Sequence, residues 1–252
     1  MTNGQRFEGN NLGGRVGACA YGEAAFQRAA HEGLGVPWIH GDGVAWAAGG
    51  AGHPFLFGAV TLHPRPALPA MLRGTVCDSF AALDVGDLPG PGWWVEDGGP
   101  WMLRLPAPVP AVSPPGLRIS RVTSDANTVV FERTAFLAAA GRPPERAGEL
   151  HPAGSQRTAG LHMFVAWIDG RPIGTALALE HDHGVLISAV TVLPVARRRG
   201  VGTALTIIAL QVAPGRSATL SATADGLPLY RRLGFAEVGR QRHWQQSPVP
   251  ER

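Results

Sequence analysis

The fold is decided by Val185-Leu186-Ile187-Ser188-Ala189-Val190-Thr191-Val192-Leu193-Pro194-Val195-Ala196-Arg197-Arg198-Arg199-Gly200-Val201-Gly202-Thr203. Its first nine residues are almost all apolar, which is typical of a central strand covered on both faces. Pro194 ends this strand, and after a basic turn the apolar residues recur at helical spacing from Val201 to Val212. The segment therefore predicts a buried strand, a basic loop that contains glycines, and the start of a largely buried helix.

The loop in this segment has the properties of an anion-binding site. The first N–H groups of a helix have no partner within the helix, and the helix dipole places partial positive charge there. Gly200 and Gly202 allow close approach to the backbone, and three arginines add fixed charge. We interpret this loop as a pyrophosphate site. It lacks the third glycine of the dinucleotide fingerprint, because Leu205 stands at that position.

The flanking sequence predicts a mixed α/β sheet for residues 117–246. Thr123, Ser124 and Asp125 are capping residues before an amphipathic helix that runs to Ala140. Turn residues separate three antiparallel strands, and a helix, a strand, a helix and a strand follow them. The predicted strands are Leu117–Val122, Leu161–Ile168, Pro172–Glu180, Val185–Leu193, Ala218–Ala222 and Phe235–Trp244, and the last short helix is Leu227–Leu233.

The first part of the chain is predicted to be a separate, smaller domain. Prolines between Pro106 and Gly116 are typical of an extended linker, so the sequence predicts an α/β accessory domain over 1–105 and a second domain over 117–246. No internal repeat occurs at a fixed period, and the accessory domain could be a degenerate copy of the second. The pattern predicts helices Glu23–Glu32 and Leu68–Phe80, a strand Pro54–Leu62, and a hairpin turning at Asp97-Gly98-Gly99.

Composition excludes several classes of function. The 252 residues carry a net charge of +3 and contain no lysine, which excludes Schiff-base chemistry and the lysine-ending nucleotide loop. Cys19 and Cys77 match no zinc motif, so no metal is expected. The start, residues 1–10, lacks the pattern of a secretory signal, and no apolar run is long enough for a membrane span. We expect a cytoplasmic protein that binds neither membrane nor nucleic acid.

Two motifs resemble those of one protein family. Arg197, Gly200 and Gly202 match the first motif of the GNAT superfamily of N-acetyltransferases, which reads Arg or Gln, two residues, Gly, one residue, Gly or Ala. Downstream, Leu229-Tyr230-Arg231-Arg232-Leu233-Gly234-Phe235 resembles a second GNAT motif, Tyr-x-x-Leu-Gly-Phe. The resemblance covers residues 117–246, and residues 1–105 are only distantly similar to two-part bacterial members with an extra N-terminal region.

The resemblance implies a binding site for acetyl-CoA as cosubstrate. Its pantetheine arm and acetyl carbonyl are expected on the main chain of Val190, Thr191 and Val192, in a slot between this strand and its parallel neighbour. Tyr230 is expected near the sulfur as the general acid. Thr223 stands where many members have a cofactor-binding Asn, so its own contact is open. The pyrophosphate site comprises Arg197, Arg198, Arg199, Gly200, Val201, Gly202 and Thr203.

The implied reaction is direct attack of a primary amine on the thioester. Glu180 is the first candidate for a base among Glu180, His181, Asp182 and His183, although polar residues are ordinary in turns. The acceptor can be a small molecule or a peptide, and a homodimer is left open. The alternative is an acyl-CoA-binding sensor or interaction module without turnover, since fold alone does not decide function.

Overall fold

The structure, a computed structural model, describes residues 12–51, 53–111 and 114–247. Residues 1–10 and the linker positions Val112 and Ser113 therefore lie outside the described residues. The helices are Leu12–Gly33 (α1), Asp125–Ala140 (α2), Val201–Leu210 (α3) and Leu227–Arg232 (α4). The strands are Trp38–His40 (β1), Val44–Ala47 (β2), Ala59–Thr61 (β3), Thr75–Asp78 (β4), Trp93–Arg104 (β5), Arg118–Arg121 (β6), Leu161–Ile168 (β7), Arg171–His181 (β8), Gly184–Val192 (β9), Ala218–Ser221 (β10) and Ala236–Gln246 (β11).

All described strands belong to one sheet, with helices on both faces. The strand order is β1-β2-β3-β4-β11-β5-β10-β9-β8-β7-β6. On β8, Leu177 and Leu179 pack with Phe131 of α2, whereas Ala178 packs with Ile207 of α3. Helices α1 and α2 therefore cover one face, and α3 and α4 cover the other. The predicted division at residues 106–116 stays a prediction, and the sheet itself runs unbroken from β1 to β6.

The strand order reads alike from the centre of the sheet in both directions. Moving outward from β11, the neighbours β4, β3, β2 and β1 pair antiparallel, parallel, antiparallel and antiparallel. Moving outward from β5, the neighbours β10, β9, β8 and β7 pair in the same sequence of orientations. The N-terminal half therefore repeats the strand order of the C-terminal half, and each half lends its last strand to the other.

Local sequence explains the elements of the C-terminal half, and the predictions made for them are confirmed. Ser124 caps α2 by accepting a hydrogen bond from the N–H of Asn127, and Gly141 ends this helix at φ 70° in the left-handed region. The turn at Asp169-Gly170 joins β7 to β8, and a turn at Asp182 joins β8 to β9. The meander and the parallel pair β9–β10 follow as predicted.

Three predictions for the N-terminal half are wrong. Residues 68–80 form no helix but contain β4, which is held by pairing with β11 from the other end of the chain. Asp97-Gly98-Gly99 is not a hairpin turn but an irregularity inside the continuous strand β5, opposite a register shift between Gln241 and Arg242. The helix predicted at Glu23–Glu32 ends at Gly33 as expected but begins at Leu12.

A buried glutamate holds the long loop between α2 and β7. Glu132 is 1% exposed, and its carboxylate accepts hydrogen bonds from the N–H groups of Gly148 (2.6 Å), Leu150 (2.7 Å) and His151 (2.9 Å). Glu132→Gln puts an N–H donor against these donors, so we expect urea denaturation to show a loss of roughly 3 kcal/mol in the free energy of unfolding. The control Glu145→Gln, at an exposed side chain, is expected to leave stability unchanged. Equal stability of both variants would contradict the assignment.

Candidate functional site

Strands β9 and β10 are parallel but stay together for only a short distance. Val185 pairs with Ala218 and Leu186 pairs with Thr219, and no later residue of β9 pairs with β10. Residues Gly184 to Ile187 are buried, whereas Ser188 to Val192 are only partly buried although they lie in the middle of the sheet. The two strands therefore separate and leave a slot, closed at Thr219 and open toward Val192.

A bulge sets the shape of the open part of β9. Ala189 has φ 50°, and the pairing of β9 with β8 shifts register between Thr175 and Leu177. The hydroxyl of Thr175 donates to the carbonyl of Ala189 (2.9 Å) and lies 2.8 Å from the hydroxyl of Thr191. This arrangement leaves the peptide groups of Val190 to Val192 that face away from β8 without a strand partner among the described residues.

The loop at the open end of the slot presents the start of α3. Gly200 is the N-cap of this helix at φ 79°, and Arg198 before it is also left-handed, at φ 60°. The first helical hydrogen bond runs from the N–H of Ala204 to the carbonyl of Gly200, so the N–H groups of Val201, Gly202 and Thr203 precede it and have no partner within the helix. These three amides are available to an anion.

Gly202 stands beside the slot itself. A Cβ atom added there would lie 3.1 Å from the Cδ1 of Leu229 on α4 and 3.7 Å from the Cγ2 of Val192 on β9. Any side chain at this position would therefore enter the space between β9 and α4. The lack of a side chain at Gly202 keeps the end of the slot open.

The structure assigns different surroundings to the three loop arginines. The guanidinium of Arg197 donates to the carbonyls of Val192 (3.1 Å) and Ala138 (3.3 Å), which ties the loop to the end of α2. Arg198 and Arg199 are exposed and form no ion pair among the described residues. Two of the three charges are therefore free to attract an anion, and the first has a structural contact.

Tyr230 lies on α4 next to the end of β10. Its ring is 8% exposed, packs in one cluster with Leu220 and Ala222 of the β10 segment, and meets Phe235 edge to face at 5.8 Å. Burial raises the pKa of Tyr230 to about 12, so the phenol is a proton donor at neutral pH. The structure thus places a buried, protonated hydroxyl-bearing side chain by the slot, on the face covered by α3 and α4.

The remaining predicted residues lie at the edges of this site. The hydroxyl of Thr223 accepts a hydrogen bond from the N–H of Gly226 (3.3 Å) at the start of α4, so it has a local capping role. Glu180 pairs with Val185, at the end of β9 farthest from the loop, roughly 20 Å from Val192 at ~3.3 Å per residue. Its carboxylate lies 3.0 Å from the Nε2 of His162. Glu180 is therefore not brought next to the loop.

The corresponding strands of the N-terminal half form no open slot. Strand β3 matches β9 in the repeated strand order and carries the same triplet, Ala59-Val60-Thr61 against Ala189-Val190-Thr191. All three residues of β3 are buried, and the hydroxyl of Thr61 accepts a hydrogen bond from the N–H of Ser79, just after β4 (2.9 Å). Residues 62–74 contain no helix. Of the two matched strand pairs, the one at β9–β10 is open.

Sequence reasoning missed the part that α1 plays at this site. A Cβ atom added to Gly22 would lie 3.0 Å from the Oγ1 of Thr219 and 3.1 Å from the Nε2 of His181, so α1 rests directly on the closed end of the slot. The available signal was a run of small residues at helical spacing, Ala18, Gly22, Ala25 and Ala29, which allows a helix to approach a sheet closely.

Two further searches of the described residues gave no site. No helix among them has the length and hydropathy to cross a membrane. Within the same residues, His, Cys, Asp and Glu side chains form no group of three or more that could hold a metal ion.

Comparisons with known proteins agree with this architecture. Residues 131–235 match the model of the acetyltransferase (GNAT) family. Comparison with curated proteins gave no significant match. A GCN5-related N-acetyltransferase from Kribbella flavida is similar over 90% of this chain and 96% of its own, with a TM-score of 0.61 and 19% identity. A putative GNAT-family acetyltransferase from Novosphingobium aromaticivorans is similar over 88% of this chain and 99% of its own, with a TM-score of 0.53 and 20% identity. These two likenesses concern the fold and extend over both halves, and residues 131–235 make this chain a member of the GNAT acetyltransferase superfamily.

Proposed function

We propose that this protein transfers the acetyl group of acetyl-CoA to a primary amine. The observation that carries the proposal is the half-open strand β9 next to the start of α3. Unpaired peptide groups along Val190 to Val192 can bind the amide-containing pantetheine arm, and the free amides of Val201 to Thr203 can hold the pyrophosphate. These two groups of donors follow one another along the chain as the two parts follow one another in the cofactor.

The proposed site residues have distinct roles. The main chain of Val190, Thr191 and Val192 binds the pantetheine arm and the acetyl carbonyl. The amides from Arg198 to Thr203 hold the pyrophosphate, and the charges of Arg198 and Arg199 attract it. Arg197 supports the loop through its two carbonyl contacts. Thr223 orders the start of α4, which carries Tyr230.

The chemistry requires no nucleophilic side chain. The amine nitrogen attacks the acetyl carbon, a C–N bond forms, and the electron pair of the carbonyl moves to its oxygen. A main-chain N–H of β9 stabilises this oxyanion. The C–S bond then breaks, and the thiolate takes the phenolic proton of Tyr230. A thiolate that forms in the same desolvated site has its own pKa raised by burial, so a phenol with a pKa of about 12 can still protonate it.

Calorimetry with coenzyme A and an assay for free thiol test the proposal together. We expect coenzyme A to bind and acetyl-CoA to release thiol in the presence of at least one primary amine from a broad panel. Binding without thiol release for any amine would instead favour the acyl-CoA-binding module without turnover. If coenzyme A does not bind at all, the proposed function is wrong.

Removal of one oxygen atom tests the general acid. We expect Tyr230→Phe to lower kcat about 100-fold, since a positioned proton donor contributes at least that factor, with little change in the KM for acetyl-CoA. Because burial keeps the pKa of Tyr230 at about 12, the wild-type rate is not expected to fall from loss of this proton on the alkaline side up to about pH 10. Tyr21→Phe, at the other tyrosine, is the matched control. Unchanged turnover of Tyr230→Phe at every pH would contradict the role.

A further inference from the structure

The described residues contain one buried carboxylate on the helix that covers the slot, and it has no counter-ion. Glu23 of α1 is 9% exposed. Its Oε1 accepts a hydrogen bond from the Nε2 of Gln27 (2.8 Å), and no Arg or His of the described residues pairs with it. Burial raises the pKa of this carboxyl above its usual value. A buried charge without a partner is costly, so the free protein lacks a group that would stabilise it.

Glu23 lies above the closed end of the slot. It follows Gly22, which rests against Thr219, the last residue of β10 that pairs with β9. One turn earlier on the same side of α1, the Sγ of Cys19 lies 4.0 Å from the carbonyl of Met102 on β5, the next strand of the sheet. The side chain of Glu23 therefore points to the sheet at β10 and β5, on the face opposite to Tyr230.

Two further polar atoms lack partners in the same place. The Oγ1 of Thr219, in a residue that is 2% exposed, and the Nε2 of His181 are buried and form no hydrogen bond among the described residues. Both atoms face Gly22 at about 3 Å from where its Cβ would stand. Buried polar groups are normally paired, so unpaired groups at one spot indicate a place that receives a polar molecule.

We propose that Glu23 binds the amine of the acceptor and takes its proton, so that the N-terminal half supplies the base for the reaction of the C-terminal half. The inference rests on the proposed function. The acceptor arrives as an ammonium ion, which neutralises the buried carboxylate. One proton passes from nitrogen to Glu23, the neutral amine attacks the acetyl carbon, and the proton leaves to solvent after the product departs. The second proton lost by nitrogen is balanced by the proton that Tyr230 gives to sulfur.

The surroundings of Glu23 also favour one class of acceptor. A primary amine without a carboxylate next to its nitrogen suits this site, because a second negative charge would face Glu23 with no cation nearby. Glu180 is less suited to this role, because it is partly exposed and already lies 3.0 Å from His162.

The substitution Glu23→Gln separates this role from a structural one. The amide has the same shape and can still pair with Gln27, but it carries no charge. At neutral pH and without ligand we expect the variant to unfold at the same or a higher temperature than the wild type, because an unpaired buried charge has been removed. Its affinity for coenzyme A is expected to be unchanged. Its kcat/KM for a panel of putrescine, tyramine, glycinamide and glycine is expected to fall at least ~100-fold.

Matched variants and the amine panel complete the test. Glu32→Gln removes the same charge at an exposed position of α1 and is expected to behave as the wild type. Glu23→Asp keeps the carboxyl and is expected to retain part of the activity. Among the amines, the wild type is expected to prefer glycinamide to glycine.

Several results would overturn the inference. Coenzyme A binding with undiminished acetylation by Glu23→Gln, or with no amine of the panel acetylated by the wild type, contradicts the role of Glu23. A variant that does not fold shows a structural carboxylate and also contradicts it. A wild type that does not bind coenzyme A refutes the proposed function itself, and this inference with it.

Discussion

A chain shortened to residues 106–252 is expected not to fold, although it contains both GNAT motifs. It lacks β5, which lies between β10 and β11 and pairs with both. Without β5 the strand beside Tyr230 becomes an open edge, and β11 loses its attachment to the C-terminal half. The removed strand contributes Trp101, Met102 and Leu103, which are 0%, 0% and 6% exposed. Burial of each such side chain stabilises by roughly 2–3 kcal/mol, and a whole domain is stable by only about 5–15 kcal/mol.

Arg104 adds to this expectation. This buried side chain at the end of β5 donates hydrogen bonds to the carbonyls of Leu233, Ala107 and Pro108, so it joins the end of α4 to the segment after β5. Circular dichroism and gel filtration of the shortened chain measure the result. Co-expression with residues 1–105 as a separate polypeptide is expected to restore a soluble pair. A shortened chain that unfolds cooperatively and binds coenzyme A would show that the two halves are independent domains.

Gly202→Val is expected to abolish coenzyme A binding while the protein stays folded. The new side chain would stand between Val192 and Leu229, in the space left open between β9 and α4. The closest atom it meets is the Cδ1 of Leu229, the end of a flexible side chain that can move aside, so the loss of stability is expected to be small. The pantetheine arm has no such freedom, because its place along β9 is then occupied. We expect the Kd for coenzyme A in calorimetry to rise at least ~100-fold, about 2.7 kcal/mol.

The control for this substitution is Gly86→Val. A Cβ atom added to Gly86 meets no atom within 4 Å, and the backbone there needs no left-handed conformation. This variant is therefore expected to bind as the wild type does. Wild-type affinity of Gly202→Val would show that coenzyme A does not use the slot beside β9. Loss of the thermal unfolding transition in Gly202→Val would instead make the position structural.

The sequence predicted the C-terminal half well because its signals are local. The run from Val185 to Val192, the cap at Ser124 and the turn at Asp169-Gly170 each act within a few residues of the element they define. The loop at Gly200 was located for the same reason, since a strand end and a helix start adjoin in the chain. The roles assigned to its residues and to Tyr230 stay predictions.

The N-terminal half was predicted poorly because distant pairing holds it. Strand β4 is a short segment with a cysteine and an aspartate, and it becomes a strand through β11, in which Trp244 pairs with Val76. Strand β5 passes through Asp97-Gly98-Gly99 without turning because β11 runs alongside it. The repeat was overlooked because its copies share little beyond Ala59-Val60-Thr61 and Ala189-Val190-Thr191. Glu23 was not recognised because nothing in the sequence shows that its helix lies over a slot made by residues about 200 positions later.

The exchange of last strands has a consequence for how the protein matures on the ribosome. Strand β4 pairs with β11, whose residues are among the last to be synthesised, so the N-terminal half cannot complete its part of the sheet while the chain is growing. Contacts that join segments so far apart in sequence slow folding. We therefore expect the nascent N-terminal half to expose an unpaired strand edge until translation ends, and to depend on chaperones during that interval.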